Sequence, residues 1–314
     1  MPIEKVAELK RKKAICSIRA KLLAAAREWF KINGFMEVQG PIIIPALGEQ
    51  PSSFAVKYFD KKAYLGHGLQ PYSDTFVKMF QKIYTVSPVF RAEKVISNRH
   101  LCEYWHIEVA SSKCDLKGIM SIQEGLLESI CHFLAKEAKE EIELLDQSST
   151  NLEKIRSPFR RLSYDEAVQL LQNEGEDIQW GGELTWPLEE KLSADSLKPF
   201  FIANYPISVE NSFFKVDPER PELSLVADLI APGGYGEIAS CGQMINKKNY
   251  FVKRMQEEEI GSRLQNWFND LKSFSSVPTS GFALGVERMT QWICGLEKVQ
   301  DTVAFPRDYK RSYP

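Results

Sequence analysis

The sequence predicts a mixed α/β fold in which antiparallel strands are flanked by helices, and three observations point there. Apolar residues from Ile15 to Phe30 (Ile15, Ile18, Leu22, Leu23, Ala26, Trp29, Phe30) recur at spacings of three and four, the mark of an amphipathic helix. Two strand-prone stretches, Tyr84 to Glu93 and Tyr104 to Ala110, flank a polar run from Lys94 to His100 and read as antiparallel strands joined by a loop. The segment Gly281 to Gly295 opens on small residues and continues through Leu284, Val286, Met289, Trp292 and Ile293, a strand running into a buried helix.

The remaining elements follow in chain order. Gly34 is placed to end the first helix, and Phe35 to Pro45, with β-branched residues and two prolines, reads as an edge strand or extended segment. Ile119 to Ala138 is helical by period, and Glu140 to Pro158 turns polar and is expected to loop between two halves of the domain. Tyr164 to Asn173 reads as a helix, Phe200 to Tyr205 and Glu222 to Ile230 as strands, and Asn249 to Asn269 as another helix. There is no internal repeat and no low-complexity segment.

At 314 residues the chain accommodates one large α/β unit, expected over 15–314 after an N-terminal extension of 1–14. Lys+Arg (40) nearly balance Asp+Glu (42), so net charge selects no acidic or basic partner. The six cysteines (Cys16, Cys102, Cys114, Cys131, Cys241, Cys294) form no CxxC pair and no metal-ligand spacing, which predicts reduced structural thiols and a cytoplasmic setting. The charged N-terminus is followed by no continuous apolar run, so a signal peptide or membrane span is not expected.

The chemistry concentrates in Tyr84-Thr-Val-Ser-Pro-Val-Phe-Arg91-Ala-Glu93 and Arg99-His100-Leu-Cys-Glu103-Tyr104-Trp-His-Ile-Glu108. Arg91 and Glu93, two apart on a strand, face one side and can grip one ligand. Arg99 and His100 lie on the loop above, where a polyphosphate tail needs cations, Tyr104 offers a ring to stack on a base, and Glu108 adds a carboxylate. Taken alone, the string also fits a solvated hairpin with scattered charges.

These residues resemble motif 2 of the class II aminoacyl-tRNA synthetases, in the aspartyl/asparaginyl subgroup with its FRAE and RHL strings. Gly34-Phe-Met-Glu-Val-Gln-Gly-Pro41 is similar to motif 1, the helix and strand of the dimer interface, while Gly281-Phe-Ala-Leu-Gly285-Val-Glu-Arg288 and Phe305-Pro306-Arg307 resemble motif 3 and the C-terminal FPR. The resemblance covers roughly residues 15 to 308 and implies the class II antiparallel sheet flanked by helices, a homodimer built through the motif 1 helix, and ATP-dependent formation of an aminoacyl adenylate. It implies that Arg91 holds the α-phosphate and substrate carboxylate, Glu93 meets the adenine amino group, Tyr104 stacks on the ring, Arg99 and His100 hold the γ-phosphate end, and Arg288 covers the nucleotide. It further implies that Asp228 and Glu237 bind magnesium with ATP, and that Gln70 and Glu108 hold the α-ammonium group of an amino acid.

Departures from the subgroup sit at the substrate side-chain end. Ser73 stands where aspartyl enzymes carry lysine, and the GGQR or GSQR string appears as Ser240-Cys-Gly-Gln243-Met244, so a methionine replaces the arginine that meets an Asp or Asn side chain. A thioether cannot donate charge-assisted hydrogen bonds, which argues against aspartate, weakens asparagine and leaves a different amino acid open, unless Lys215 or Lys247 compensates. Gln300, in Lys298-Val-Gln300-Asp301, replaces the subgroup's arginine and is expected to be neutral. Cys241 is expected to pack rather than react. The segment Asp228 to Glu237 resembles the archaeal asparagine synthetase-related enzymes, relatives without an anticodon-binding domain. Because motif 1 begins so near the first residue, no anticodon-binding domain is expected in this chain. The expected acceptor is therefore ammonia, an amine or another metabolite, with a truncated asparaginyl-type tRNA ligase and a non-catalytic binding paralogue as alternatives. Lys154 to Arg161, with four cations, reads either as a phosphate contact or as a solvated face.

Overall fold

The structure, a computed structural model, describes residues 3–45, 52–70, 72–209, 214–245 and 278–313. The predicted helix 249–269 and Lys247 lie outside the described residues.

Helix α1 (Ile3–Ile32) carries the predicted periodicity and begins well before Ile15. Ile18, Leu22, Ala26 and Phe30 bury completely along one stripe. Gly34 ends it as expected, adopting φ +74° while the Phe35 N–H reaches back to the Phe30 carbonyl at 2.9 Å. The chain then forms β1 (Met36–Glu37), a parallel edge to β5 (Lys82–Phe90). The Phe30 ring stacks on Tyr84 of β5 with centroids 4.1 Å apart, locking helix to sheet. Between β1 and β5 lie β2 (Ile43–Pro45), β3 (Ala55–Tyr58) and β4 (Lys61–Leu65), which make a small three-stranded sheet, and then helix α2 (Ser73–Phe80).

β6 (Glu103–Ser112) pairs antiparallel with β5 from Lys82↔Ser111 to Phe90↔Glu103, the hairpin read from the sequence. Helix α3 (Leu116–Glu137), capped by the Asp115 carboxylate on the Gly118 N–H, packs against α1 beneath the sheet. The segment 140–158, expected as a loop, instead holds helices α4 (Lys139–Leu144) and α5 (Ser149–Glu153); buried Ile142, Leu145 and Leu152 anchor them to the core. Of the four cations in Lys154 to Arg161, Arg156 pairs with Glu128 and Arg161 with Glu124.

Next come β7 (Arg160–Ser163), α6 (Tyr164–Asn173), α7 (Trp186–Ala194), β8 (Phe200–Ala203), β9 (Val226–Ala231), β10 (Gly236–Gln243) and β11 (Thr279–Gly285). α6 has the predicted bounds and opens on a reciprocal capping box between Ser163 and Glu166. β11 runs directly into the buried helix α8 (Val286–Cys294). Among the described residues eight strands form one sheet in the order β1-β5-β6-β11-β10-β9-β8-β7, antiparallel except for the outer pairs β1/β5 and β7/β8. Helices α1, α3 and α8 share the main apolar core with the central strands, leaving the ends of β6, β10 and β11 to carry polar side chains. No helix among the described residues is long and apolar enough to cross a membrane.

Candidate active site

Tyr104, His106 and Glu108 alternate along β6 and so share one face of the sheet, beside Ser87 and Thr85 of β5 and Gly285 and Ala283 of β11. Arg91 and Glu93 do not lie on β5, as the spacing suggested, but just beyond its end. There the Arg91 N–H is held by the Cys102 carbonyl at 2.9 Å, and the two side chains still meet, in a 3.3 Å ion pair. Both line a cleft of about 230 Å³ with Arg99, His100, Tyr104, Glu237, Ser240 and Arg288. The fold thus gathers the residues assigned to the nucleotide from four separate stretches of chain.

Arg288, on the first turn of α8, donates to Glu237 of β10 at 2.7 Å. Burial favours the protonated form of Glu237, but Arg288 and Arg99 outweigh it and hold the carboxyl below its usual range. Arg99 is buried and gives its guanidinium to the backbone carbonyls of Tyr235 and Glu237, so it braces β10. Burial and the neighbouring Arg288 pull it down to about 10. His100 is held by Ser97 at 2.5 Å, and its titration is lowered by burial and Arg288. Gln300 is not a neutral bystander, because its amide donates to the carbonyls of Ser97 and His100 at 2.9 and 3.1 Å and fixes the loop that carries Arg99.

Asp228 and Glu237 wall a neighbouring cavity of about 340 Å³. Magnesium characteristically takes one or two carboxylates together with substrate phosphates, so this pair, opening beside the nucleotide cleft, fits that ion. Two residues of this region were missed in the sequence. Glu189 of α7 is buried against β10, where it accepts the Glu237 N–H at 2.8 Å, and burial together with the Glu237 charge pushes its carboxyl up to about 7. Nothing local marks Glu189, which reaches the site only through tertiary packing. His106 lines the cleft with its Nδ1 buried and without a hydrogen-bond partner, and burial with Arg91 and Arg288 lowers it to about 3. The alternation that groups Tyr104 with Glu108 was signal enough to find it.

Farther along β6, Glu108 takes the Leu69 N–H on both oxygens at 3.0 and 2.9 Å. This approach depends on Gly68, whose φ is +142° and where a Cβ would sit 2.5 Å from the Glu108 carboxylate. Burial pushes the Glu108 carboxyl up to about 7. The Gln70 amide lies 3.5 Å from the Met244 sulfur, bringing together two residues 174 apart in sequence. Ser73 and Gln243 are buried but do not line the nucleotide cleft: Ser73 opens α2, and the Gln243 backbone pairs with Leu225 and Lys215. Cys241 is buried with its thiol pushed well up, a packing residue, and all six cysteines are free.

One buried carboxylate ties the cleft together. Glu287, 2% exposed, accepts the Trp105 N–H of β6 at 2.9 Å and pairs with Arg19 of α1 at 2.7 Å, so α1, β6 and α8 meet at one group beside Arg288.

An antiparallel sheet with an arginine-and-acid cleft at its helix-flanked centre, fed by a motif 2 hairpin and a motif 3 strand and helix, defines an adenylate-forming synthetase core. The chain belongs to the tRNA synthetases class II (D, K and N), whose family model matches residues 5–309, and it is a ligase of that family. It is 39% identical over 305 residues to the asparagine–tRNA ligase of Desulforamulus reducens, covering 97% of this chain and 71% of that one. With the asparagine–tRNA ligase of Pyrococcus abyssi it shares 37% over 302 residues, 96% of this chain and 70% of the relative. The crystal structure of asparaginyl-tRNA synthetase from Pyrococcus horikoshii complexed with asparaginyl-adenylate superposes with a TM-score of 0.94 at 35% identity, covering 100% of this chain and 74% of that one.

Proposed function

We propose that the protein uses ATP and magnesium to activate asparagine as its adenylate and transfers the asparaginyl group to the 3′ end of a tRNA. The observation that carries the first step is the single cleft in which Arg91, Glu93, His100, Tyr104, Glu237 and Arg288 converge. The amino acid carboxylate attacks the α-phosphorus in line and pyrophosphate leaves; Arg91 and Arg288 stabilise the charge that develops on the phosphoryl oxygens. Asp228 and Glu237 would hold magnesium, which neutralises the phosphates. Glu108, once ionised, and Gln70 receive the α-ammonium group. In the second step a ribose hydroxyl attacks the activated carbonyl, its proton is released, and AMP departs.

Asparagine is favoured over aspartate because Ser73, Ser240 and Met244 bring no cation to the side-chain end, and because the relatives above are asparagine–tRNA ligases. The same relatives support tRNA as the acceptor in preference to the ammonia, amine or metabolite expected from the sequence. A homodimer through α1 completes the reading. A tRNA acceptor and free thiols suit a cytoplasmic setting.

The test is ATP–pyrophosphate exchange across the common amino acids, followed by acid-gel assay of tRNA charging. Exchange with asparagine and an aminoacyl ester on tRNA are expected. Exchange without any charged tRNA, together with consumption of ammonia, would overturn the acceptor.

A further inference from the structure

Most acidic and imidazole side chains of the nucleotide cleft are already engaged. Glu93 pairs with Arg91, Glu237 with Arg288, Glu287 with Arg19 and the Trp105 N–H, and His100 with Ser97. His106 is the exception among the described lining residues. Its Nδ1 is buried without a hydrogen-bond partner, and Glu108 Oε1 stands 3.9 Å away, beyond hydrogen-bonding reach. A polar atom left in this way costs the folded protein stability, which calls for an explanation in the chemistry of the site.

Placement on β6 supplies one. Tyr104, His106 and Glu108 share one face of the strand, each about 7 Å from the next. On the proposed function the base lies on Tyr104 and the α-ammonium group meets Glu108, so the phosphate and acyl carbon that join them pass over His106. The imidazole is set edge-on to the Tyr104 ring, with centroids 5.1 Å apart and planes at 68°. Its neighbour across the β11 pairing is Gly285, which has no side chain to cover it. Burial, Arg91 and Arg288 favour the unprotonated ring, the form that can accept a proton. The phosphate of a bound adenylate offsets those two cations and so lets the ring keep the proton that it takes.

We infer that His106 is a catalytic residue of the second half-reaction, the base that takes the proton of the attacking nucleophile beside the acyl–phosphate bond. The ribose hydroxyl oxygen bonds to the acyl carbon and its proton passes to the imidazole. The acyl–phosphate bond breaks, its electron pair goes to the phosphate oxygen, and AMP leaves; the imidazolium then gives its proton to solvent. The first half-reaction has no such proton to move, because there a carboxylate attacks phosphorus. The inference rests on the proposed adenylate and acyl-acceptor chemistry.

The two half-reactions are therefore measured separately on the full chain. The enzyme–adenylate complex, formed with ATP, magnesium, asparagine and pyrophosphatase, is isolated by rapid gel filtration. Its single-turnover transfer to unfractionated tRNA is followed beside ATP–pyrophosphate exchange. For His106→Ala and His106→Gln transfer is expected to fall about 10²-fold, and exchange by less than about tenfold. Added imidazole is expected to raise transfer by His106→Ala about tenfold, because the deleted ring leaves its space, and to leave His106→Gln, whose amide fills that space, as it was. On the parent, bound adenylate is expected to slow carbethoxylation of His106 by diethyl pyrocarbonate several-fold, read by peptide mapping. Transfer at the parental rate in both variants overturns the inference. Equal losses in the two half-reactions without rescue by imidazole make His106 a packing residue and overturn it too, as does carbethoxylation at the same rate with and without adenylate. If the parent passes its adenylate to ammonia and not to tRNA, the tRNA reading falls by itself, and the same comparison run with ammonia decides the role of His106, since an attacking amine also sheds a proton. Transfer by the parent to neither acceptor overturns both.

Discussion

At the nucleotide end of the cleft, Arg288 pairs with Glu237, Arg91 with Glu93, and Arg99 is tied to the β10 backbone. At the amino-acid end the Gln70 amide faces the thioether of Met244, and Glu108 is a buried carboxyl whose burial holds its proton until about pH 7. The first region is a frame of opposed charges, and on the proposed function it holds ATP whatever the amino acid. In the second, Ser73, Ser240 and Met244 bring no charge, and on the proposed function this region selects the amino acid. On the proposed function, preorganised charge and substrate identity therefore reside in different regions, and substitutions in each should register in different kinetic parameters.

The largest effect is expected from Arg91→Ala. Removing a cation that faces charge developing at phosphorus should lower the rate of pyrophosphate exchange about 10³-fold with little change in the KM for asparagine. A change confined to that KM would move Arg91 out of the nucleotide frame. Arg288→Ala should cost about 10²-fold in exchange and also lower the melting temperature, because Glu237 keeps its charge with its nearest partner gone. With both side chains a little under a third exposed, solvent screening limits that loss of stability to about 2 kcal/mol. A variant that melts like the parent would show the pair to be solvent-screened.

Met244→Arg tests the other region. A guanidinium there restores a charge-assisted donor to the side-chain end, and the KM for asparagine should fall about tenfold while the KM for ATP holds. A higher KM for asparagine would show that Met244 is matched to a different side chain. The smallest signature is a pH dependence. Glu108 must lose its proton to receive an ammonium group, so kcat/KM for the amino acid should rise up to about tenfold per unit as pH climbs to 7 and level off above it. The limb in kcat should lie lower, because bound ammonium favours the carboxylate. Stability moves the other way: the folded protein holds this proton more tightly than the unfolded chain, so rising pH between the ordinary 4.5 and about 7 erodes stability. A flat kcat/KM profile would place the ammonium elsewhere.

Much of the fold was legible because single patterns carry single elements. The three-and-four spacing of α1, the punctuation by Gly34, the bounds of α6 and the small-residue entry to α8 are local, and they held. The polar stretch after α3 misled, since α4 and α5 are too short to develop a face and are held by a few buried leucine and isoleucine side chains. In the site, the motif residues converged as their order suggested, although Arg91 and Glu93 share the cleft through irregular backbone rather than strand alternation. Glu189 and the bracing role of Gln300 depend on elements folding together, and no window of sequence contains that information.

The meeting of Arg19, Glu287 and Trp105 has a consequence for how this chain can change over generations. Losing Arg19 alone strands an acid inside the protein, and losing Glu287 alone strands a guanidinium, either at a cost of about 3 kcal/mol or more. Each single step is thus a valley for the whole molecule. Lineages derived from this chain must therefore inherit positions 19 and 287, or replace them, as a couple.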